Sequence, residues 1–181
     1  MASWWRTSGR RHLSSCPRCG ESGRKVSKIT VGSHTRPAHQ KSQEGVGEWR
    51  FCGTPSCLVG YYGTDCKTVV PLDALRTTPF PKSDNLLQFV CFCFEHTVAA
   101  IIDDVKHHQS PTLQASITEA CRQGLDACEQ KNPEGRCCLG NVAAVVRRAE
   151  GAPSPETDLD CCKKSVSDSW KSLSIADDRT L

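Results

Sequence analysis

Thirteen cysteines in 181 residues carry the chemistry of this sequence, and most of them fall in close sets. Cys16 and Cys19 are separated by two residues in CPRCG, and Cys52 and Cys57 flank a Gly-Thr-Pro-Ser turn in FCGTPSC. Cys91 and Cys93 bracket a single phenylalanine in VCFCF, and Cys128 precedes the vicinal pair Cys137–Cys138 in CEQKNPEGRCCLG. Thiolates are soft ligands. Four of them gathered by short turns suit a tetrahedral zinc ion or an iron–sulfur cluster.

Cysteine enrichment also marks disulfide frameworks in oxidising compartments. Three features favour metal thiolates instead: the start MASWWRTSGRRHLSSC lacks the apolar segment of a secretory signal, the cysteine count is odd, and the spacings are paired. No apolar run approaches the roughly 20 residues that span a bilayer. The expectation is a soluble, cytoplasmic metalloprotein without a membrane span. A formal charge of +3 gives no case for a nucleic-acid partner, although Arg6, Arg10, Arg11, Arg18, Arg24, Lys25 and Lys28 crowd the first thirty residues. No nucleophile–base arrangement, phosphate loop or paired carboxylates stand out from the candidate ligands, which argues against an independent enzyme with catalytic side chains.

The elements that must hold these cysteines divide the chain. Residues 1–14 form a flexible basic arm, 15–72 a small β-rich zinc-binding module, 73–87 a proline-containing connector, 88–150 a three-helix module, and 151–181 a linker and flexible tail. The fold class is therefore α+β with disordered tails. Strands are expected at Trp49–Phe51, Leu58–Tyr62 and Thr68–Pro71, and a surface loop over 34–48. From Val90 the pattern reads as helical. Thr97 can cap a helix with Val98, Ile101, Ile102 and Val105 on one face, ending near His107–His108. Ser110–Pro111 signals a second helix with Leu113, Ile117, Ala120, Cys121 and Leu125 inward and Gly124 as its weak point. Leu139, Val142, Val145 and Val146 mark a third.

Cys16, Cys19, Cys52 and Cys57 are the candidate zinc ligands, with Gly20 permitting the turn that aims the first two. His34, His39 and Cys66 are alternative ligands of less regular spacing. A module of this size has little apolar mass, and structural zinc would supply on the order of 10 kcal/mol. The second quartet is Cys91, Cys93, Cys128 and one of Cys137 or Cys138.

The pattern Cys-Phe-Cys-Phe, two helices, then Cys-Glu-x-x-Asn-Pro-x-Gly-x-Cys-Cys-Leu-Gly resembles the 2Fe–2S domain of the bacterioferritin-associated ferredoxin type. It is most similar to the version in the N-terminal domain of the copper chaperone CopZ family, which also carries an N-terminal zinc site. The resemblance covers about residues 14 to 150. It implies a 2Fe–2S cluster on Cys91, Cys93, Cys128 and Cys138, with Cys137 the adjacent alternative, and a turn at Asn132–Gly135 returning the chain to Cys128. Backbone N–H groups at helix starts near Cys93 and Leu139 are then expected to donate to the cluster sulfurs, and Cys121, on the inner face of the second helix, to be a buried structural thiol.

Full chaperones of that family continue into a copper-binding domain with a Met-x-Cys-x-x-Cys loop; no such loop occurs here, so direct copper transfer by that domain is not expected. Cys161–Cys162 could bind a soft ion. The resemblance implies a one-electron carrier that reduces Cu(II) to Cu(I), with copper as transferred substrate. Its partners would be a copper chaperone or metal transporter and a redox partner. The alternative is a non-redox adaptor or sensor with zinc in both sites, docking to a protein. His96, His107 and His108 are expected to face solvent.

Overall fold

The computed structural model describes residues 15–40, 45–65, 67–108 and 112–151. The expected arm, most of the expected tail, Cys66, Ser110–Pro111 and Cys161–Cys162 lie outside the described residues. The architecture is mixed, with a small antiparallel sheet followed by helices.

Four strands, β1 (Arg24–Val26), β2 (Trp49–Phe51), β3 (Val59–Gly63) and β4 (Val69–Pro71), pair antiparallel in the order β1-β2-β3-β4. Aromatic and β-branched residues supply this sheet. Trp49, Phe51 and Tyr61 are buried with Val26, Val31 and Val70 in one core, and β3 is buried along its whole length. Ala74 and Leu75, placed in the connector by sequence, belong to this core, and Leu75 pairs with Thr35 in an isolated bridge.

Between β1 and β2 the chain forms a helix that the sequence pattern does not announce, α1 (Lys28–His34), where Ile-Thr-Val-Gly has poor helix propensity. Two local causes make it. Ser27 caps it by accepting from the Thr30 N–H, and its inner face buries Thr30, Val31 and His34. The expected loop over 34–48 thus begins on this helix and then takes a 3-10 turn at Pro37–His39.

The second half differs at its start. Val90 does not begin a helix. Cys91 and Cys93 sit in a hairpin formed by β5 (Phe89–Cys91) and β6 (His96–Thr97), turned at Glu95 with φ +59°. Thr97 then caps α2 (Val98–His107) through the Ala100 N–H, as its spacing predicts. Helix α3 (Thr112–Arg122) is tied to α2 by Asp104, whose carboxylate accepts from Thr112 and from the Leu113 N–H. It stops before Gly124, whose φ of +71° ends it rather than weakening its middle, and Leu125 is exposed. A single turn, α4 (Cys128–Lys131), and a last helix, α5 (Leu139–Ala149), complete this half. Val142, Val145 and Val146 of α5 pack with Ile101 of α2 and Ile117 of α3, and the candidate cluster cysteines share that core.

The halves are bolted together through 129–135. Thr30 Oγ1 donates to the Glu129 carbonyl at 2.7 Å and Tyr61 Oη to the Pro133 carbonyl at 2.6 Å. Arg24 Nη2 lies 2.8 Å from a Glu134 carboxylate whose side chain is 1% exposed. Asn141 Nδ2 donates to the other Glu134 oxygen and Arg136 approaches at 3.4 Å.

Candidate metal centres

Cys16 and Cys19 are aimed by the knuckle that sequence predicts. The Gly20 N–H donates to the Cys16 carbonyl at 2.9 Å, the Cys16 N–H to the Glu21 carbonyl at 2.8 Å, and Gly20 takes a φ of +80°. Cys52 leaves β2 with its N–H bonded to Gly60, and the Cys57 N–H closes the intervening turn on Thr54 at 3.1 Å. Lys82 Nζ clamps that turn from outside, donating to the Thr54 and Cys57 carbonyls at 2.8 Å each.

The result is a four-sulfur cage. Cys16 and Cys57 Sγ are 3.9 Å apart, Cys19 and Cys52 Sγ 3.7 Å, and all four lie within 4.8 Å of one another. A tetrahedron with Zn–S bonds of about 2.3 Å has edges of about 3.8 Å. The donor set and spacing fit zinc. Burial pushes the Cys52 thiol up to about 12 and raises Cys16. At Cys19 burial also acts upward, but the hydrogen bond with Thr54 and that from the Glu21 backbone prevail and bring the thiol to about 7. One sulfur is thus poised to ionise, and an entering cation displaces the remaining protons. Three of these cysteines are buried and Cys19 is half-buried, so the centre is closed and structural. The group comprises cysteines alone; His34 is buried on α1 and His39 sits in the 3-10 turn.

The second quartet has a different shape. Cys93 and Cys128 Sγ are 3.5 Å apart, and Cys91 and Cys138 lie with them in one buried core. Among the described residues no three of these sulfurs gather within 4.8 Å, unlike the first quartet. They do not close into one tetrahedral cage. Cys91, Cys93, Cys128 and Cys138 are all buried, whereas Cys137 is exposed.

The thiols are electrostatically uneven. Interaction with the neighbouring Cys138 thiol lowers the Cys91 thiol to about 6, despite burial, with backbone bonds at Phe94 and Cys93 assisting. The same interaction, then burial, drives Cys138 upward, and burial followed by the Cys93 contact raises Cys128. The Ala127 N–H donates to Cys93 Sγ at 3.4 Å, and Lys131 Nζ lies 3.5 Å from the Cys93 carbonyl. Backbone donors therefore come from the hairpin and from the segment before α4, not from a helix start at Cys93. Ala127 and Lys131 carry no sequence signal, because their roles depend on the chain between Cys93 and Cys128, 35 positions apart, being folded back.

Comparison with known proteins bears first on the zinc cage. Residues 13–76 match the family model zf_CopZ, described as a zinc binding domain. The amino-terminal half matches a CopZ-type zinc-binding domain. The same span holds all four sulfurs of the cage, so family and geometry agree on a four-cysteine zinc site. The chain is 28% identical over 123 residues to the protein named copper chaperone CopZ of Archaeoglobus fulgidus; the match takes in 68% of this chain and 57% of that relative. It therefore spans less than two thirds of the CopZ relative's length. The X-ray structure of the A. fulgidus CopZ N-terminal domain superposes with a TM-score of 0.59 at 24% identity, covering 77% of this chain and 99% of that one. At that identity the likeness establishes the fold. Among the described residues no helix is long and apolar enough to cross a membrane.

Proposed function

We propose that this CopZ-like chain is a zinc-stabilised one-electron carrier whose second quartet, Cys91, Cys93, Cys128 and Cys138, holds a 2Fe–2S cluster. The observation that carries this reading is that these four buried cysteines share one core, with Cys93 and Cys128 Sγ 3.5 Å apart, without closing into a four-sulfur cage like the first. A mononuclear ion needs four sulfurs at one centre, as in the zinc cage. A dinuclear cluster needs two sulfurs on each iron, with the pairs set apart. Cys138 rather than Cys137 is the fourth ligand in this reading, since it is buried in the core with Cys91 while Cys137 is exposed.

When bound, such a cluster supplies storage of a single electron. The chain's own residues set the conditions. The N–H of Ala127 and the backbone bonds at Cys93 and Phe94 offset thiolate charge and favour the reduced state. Burial among Val90, Ile101, Ile117 and Val142 excludes water from the sulfurs. The zinc half fixes the 129–135 turn through Thr30, Tyr61 and Arg24, and so sets how Cys128 and Cys138 meet the hairpin.

The copper-chaperone relative motivates the substrate: reduction of Cu(II) to Cu(I), one electron per ion, with delivery to a chaperone or transporter and re-reduction by a redox partner. Anaerobic stopped-flow mixing of the dithionite-reduced protein, freed of reductant, with Cu(II) and a Cu(I)-specific chromophoric chelator tests it. Reoxidation in step with Cu(I) appearance is expected. Reoxidation no faster than the buffer control would overturn the copper role.

A further inference from the structure

Glu134 is a carboxylate buried where the two halves meet, in the turn between Cys128 and Cys138, with its side chain 1% exposed. One of its oxygens takes Arg24 Nη2 at 2.8 Å and Arg136 Nε at 3.4 Å, and the other accepts from Asn141 Nδ2. The turn braces itself around this group: the Glu134 N–H donates to Asn132 Oδ1 at 3.0 Å, and Asn132 Nδ2 donates to the Arg136 carbonyl at 2.7 Å. A buried charge needs such partners, and charged hydrogen bonds are the stronger kind.

The two ends of this contact lead to the two quartets. Arg24 stands opposite Phe51 in the β1–β2 register, with its guanidinium 5.8 Å from the ring centre, and Phe51 adjoins Cys52 of the zinc cage. The neighbouring Gly23 N–H donates to Tyr62 Oη at 2.7 Å, and Tyr62 packs with Cys16, Cys52 and Cys57. On the other side Asn141 is the third residue of α5. Cys138 is the residue on which that helix starts, and its carbonyl accepts from the Val142 N–H at 3.0 Å. Thr30 and Tyr61 also tie the halves, but their bonds end on the Glu129 and Pro133 carbonyls. Glu134 reaches through the turn to the helix that carries Cys138.

We propose that Glu134 is a positioning residue for the cluster: it fixes Cys138 relative to the zinc half by holding Arg24 and Asn141 at once. The role rests on the electron-carrier reading only for iron as its reporter. The geometry calls for a carboxylate, because Arg24 and Asn141 both donate and each takes its own oxygen. A glutamine offers one acceptor oxygen and turns an N–H toward the second donor.

The test uses the full metal-loaded chain under anaerobic conditions. It follows iron release from the reduced protein to a ferrous chelator, and hydrogen exchange in the first turns of α5, beginning with the Val142 amide that bonds to Cys138. Losing an outer-shell partner costs a metal site about 10–100-fold in affinity, so Glu134→Gln should release iron about 10–100-fold faster and speed exchange at the start of α5. Asn141→Ala breaks only the last contact and should act alike, which keeps the test valid if E134Q folds poorly. Tyr61→Phe removes a bond from the same sheet to the same turn, and should stay within about threefold of the parent in both readouts. The double variant E134Q/N141D exchanges donor and acceptor across the contact, and should return both readouts to within about threefold of the parent. Both readouts unchanged within about threefold in E134Q and N141A overturn the proposal. So does a double variant as fast as E134Q, or an equal acceleration in Y61F, which would make Glu134 one structural tie among several. A parent chain that carries no iron sinks the electron-carrier reading, while faster exchange in E134Q and its recovery in E134Q/N141D leave the positioning role standing.

Discussion

Replacing Gly135 with alanine should strain the joint between the two halves. Gly135 has φ +64°, and a Cβ there would meet Thr30 Oγ1 at 2.8 Å, Thr30 Cγ2 at 3.1 Å and Val26 Cγ1 at 3.3 Å. The left-handed conformation costs an L-residue about 1–2 kcal/mol. Overpacking against α1 adds about 1–3 kcal/mol, and the stiffer unfolded chain returns about 0.4–1 kcal/mol. The net destabilisation is about 1–4.5 kcal/mol. Gly124→Ala separates the terms, because Gly124 has a φ of +71° but nothing within 4 Å of the added carbon; it should lose only the conformational part. The steric part can be isolated with Thr30→Ala. That change removes the two nearest atoms and forfeits the bond to the Glu129 carbonyl, about 1 kcal/mol. The double variant should therefore be less destabilised than the sum of the single ones by about 1–3 kcal/mol. Guanidinium midpoints followed by far-UV circular dichroism on anaerobic, metal-loaded protein give the four corners of the cycle. Additivity within about 0.5 kcal/mol would refute the claim that the 129–135 turn presses directly on α1.

Cys52→Ser should remove most of the zinc-binding free energy, on the order of 10 kcal/mol, and unfold residues 15–76; loss of β signal together with one zinc per chain checks it. Glu134→Ala strands Arg24 and Asn141 without their shared carboxylate and should cost about 2–4 kcal/mol, with Glu134→Gln costing less, in the same denaturation assay. His34 is held neutral, lowered to about 4 by burial and by the nearby Arg76 charge. The unfolded chain therefore binds the extra proton between pH 6.5 and about 4, and stability falls as pH drops through that window by about 1.4 kcal/mol per unit. His34→Gln should flatten that slope, and midpoints at pH 6.5, 5.5 and 4.5 would show it.

Much of this site can be read from sequence where ligands are close in the chain. The CPRCG knuckle and the Cys52–Cys57 turn are local, so spacing alone places all four sulfurs, and Gly20 and Gly135 take the positive φ expected of turn glycines. Thr97 and the Val98–Val105 face likewise specify α2 by cap and period. What escapes notice depends on tertiary contact. No pattern marks Ile29–Gly32 as helical, and the Ser27 cap and packing against the 129–135 turn make them so. Val90 reads as the start of a helix, yet pairing with His96–Thr97 makes Cys91 the end of a strand. Glu134 falls in the expected Asn-Pro-Glu-Gly turn, but its buried pairing with Arg24, 110 positions earlier, has no local signal. A period-based reading has no access to such partners.

On the proposed reading, two chemically different metals occupy the two cysteine quartets. Metal analysis of the anaerobically purified chain, with electron paramagnetic resonance before and after dithionite, tests it most directly. The account predicts about two irons and one zinc per chain, with a paramagnetic signal appearing only on one-electron reduction. A colourless protein with zinc in both quartets and no signal after reduction would contradict it.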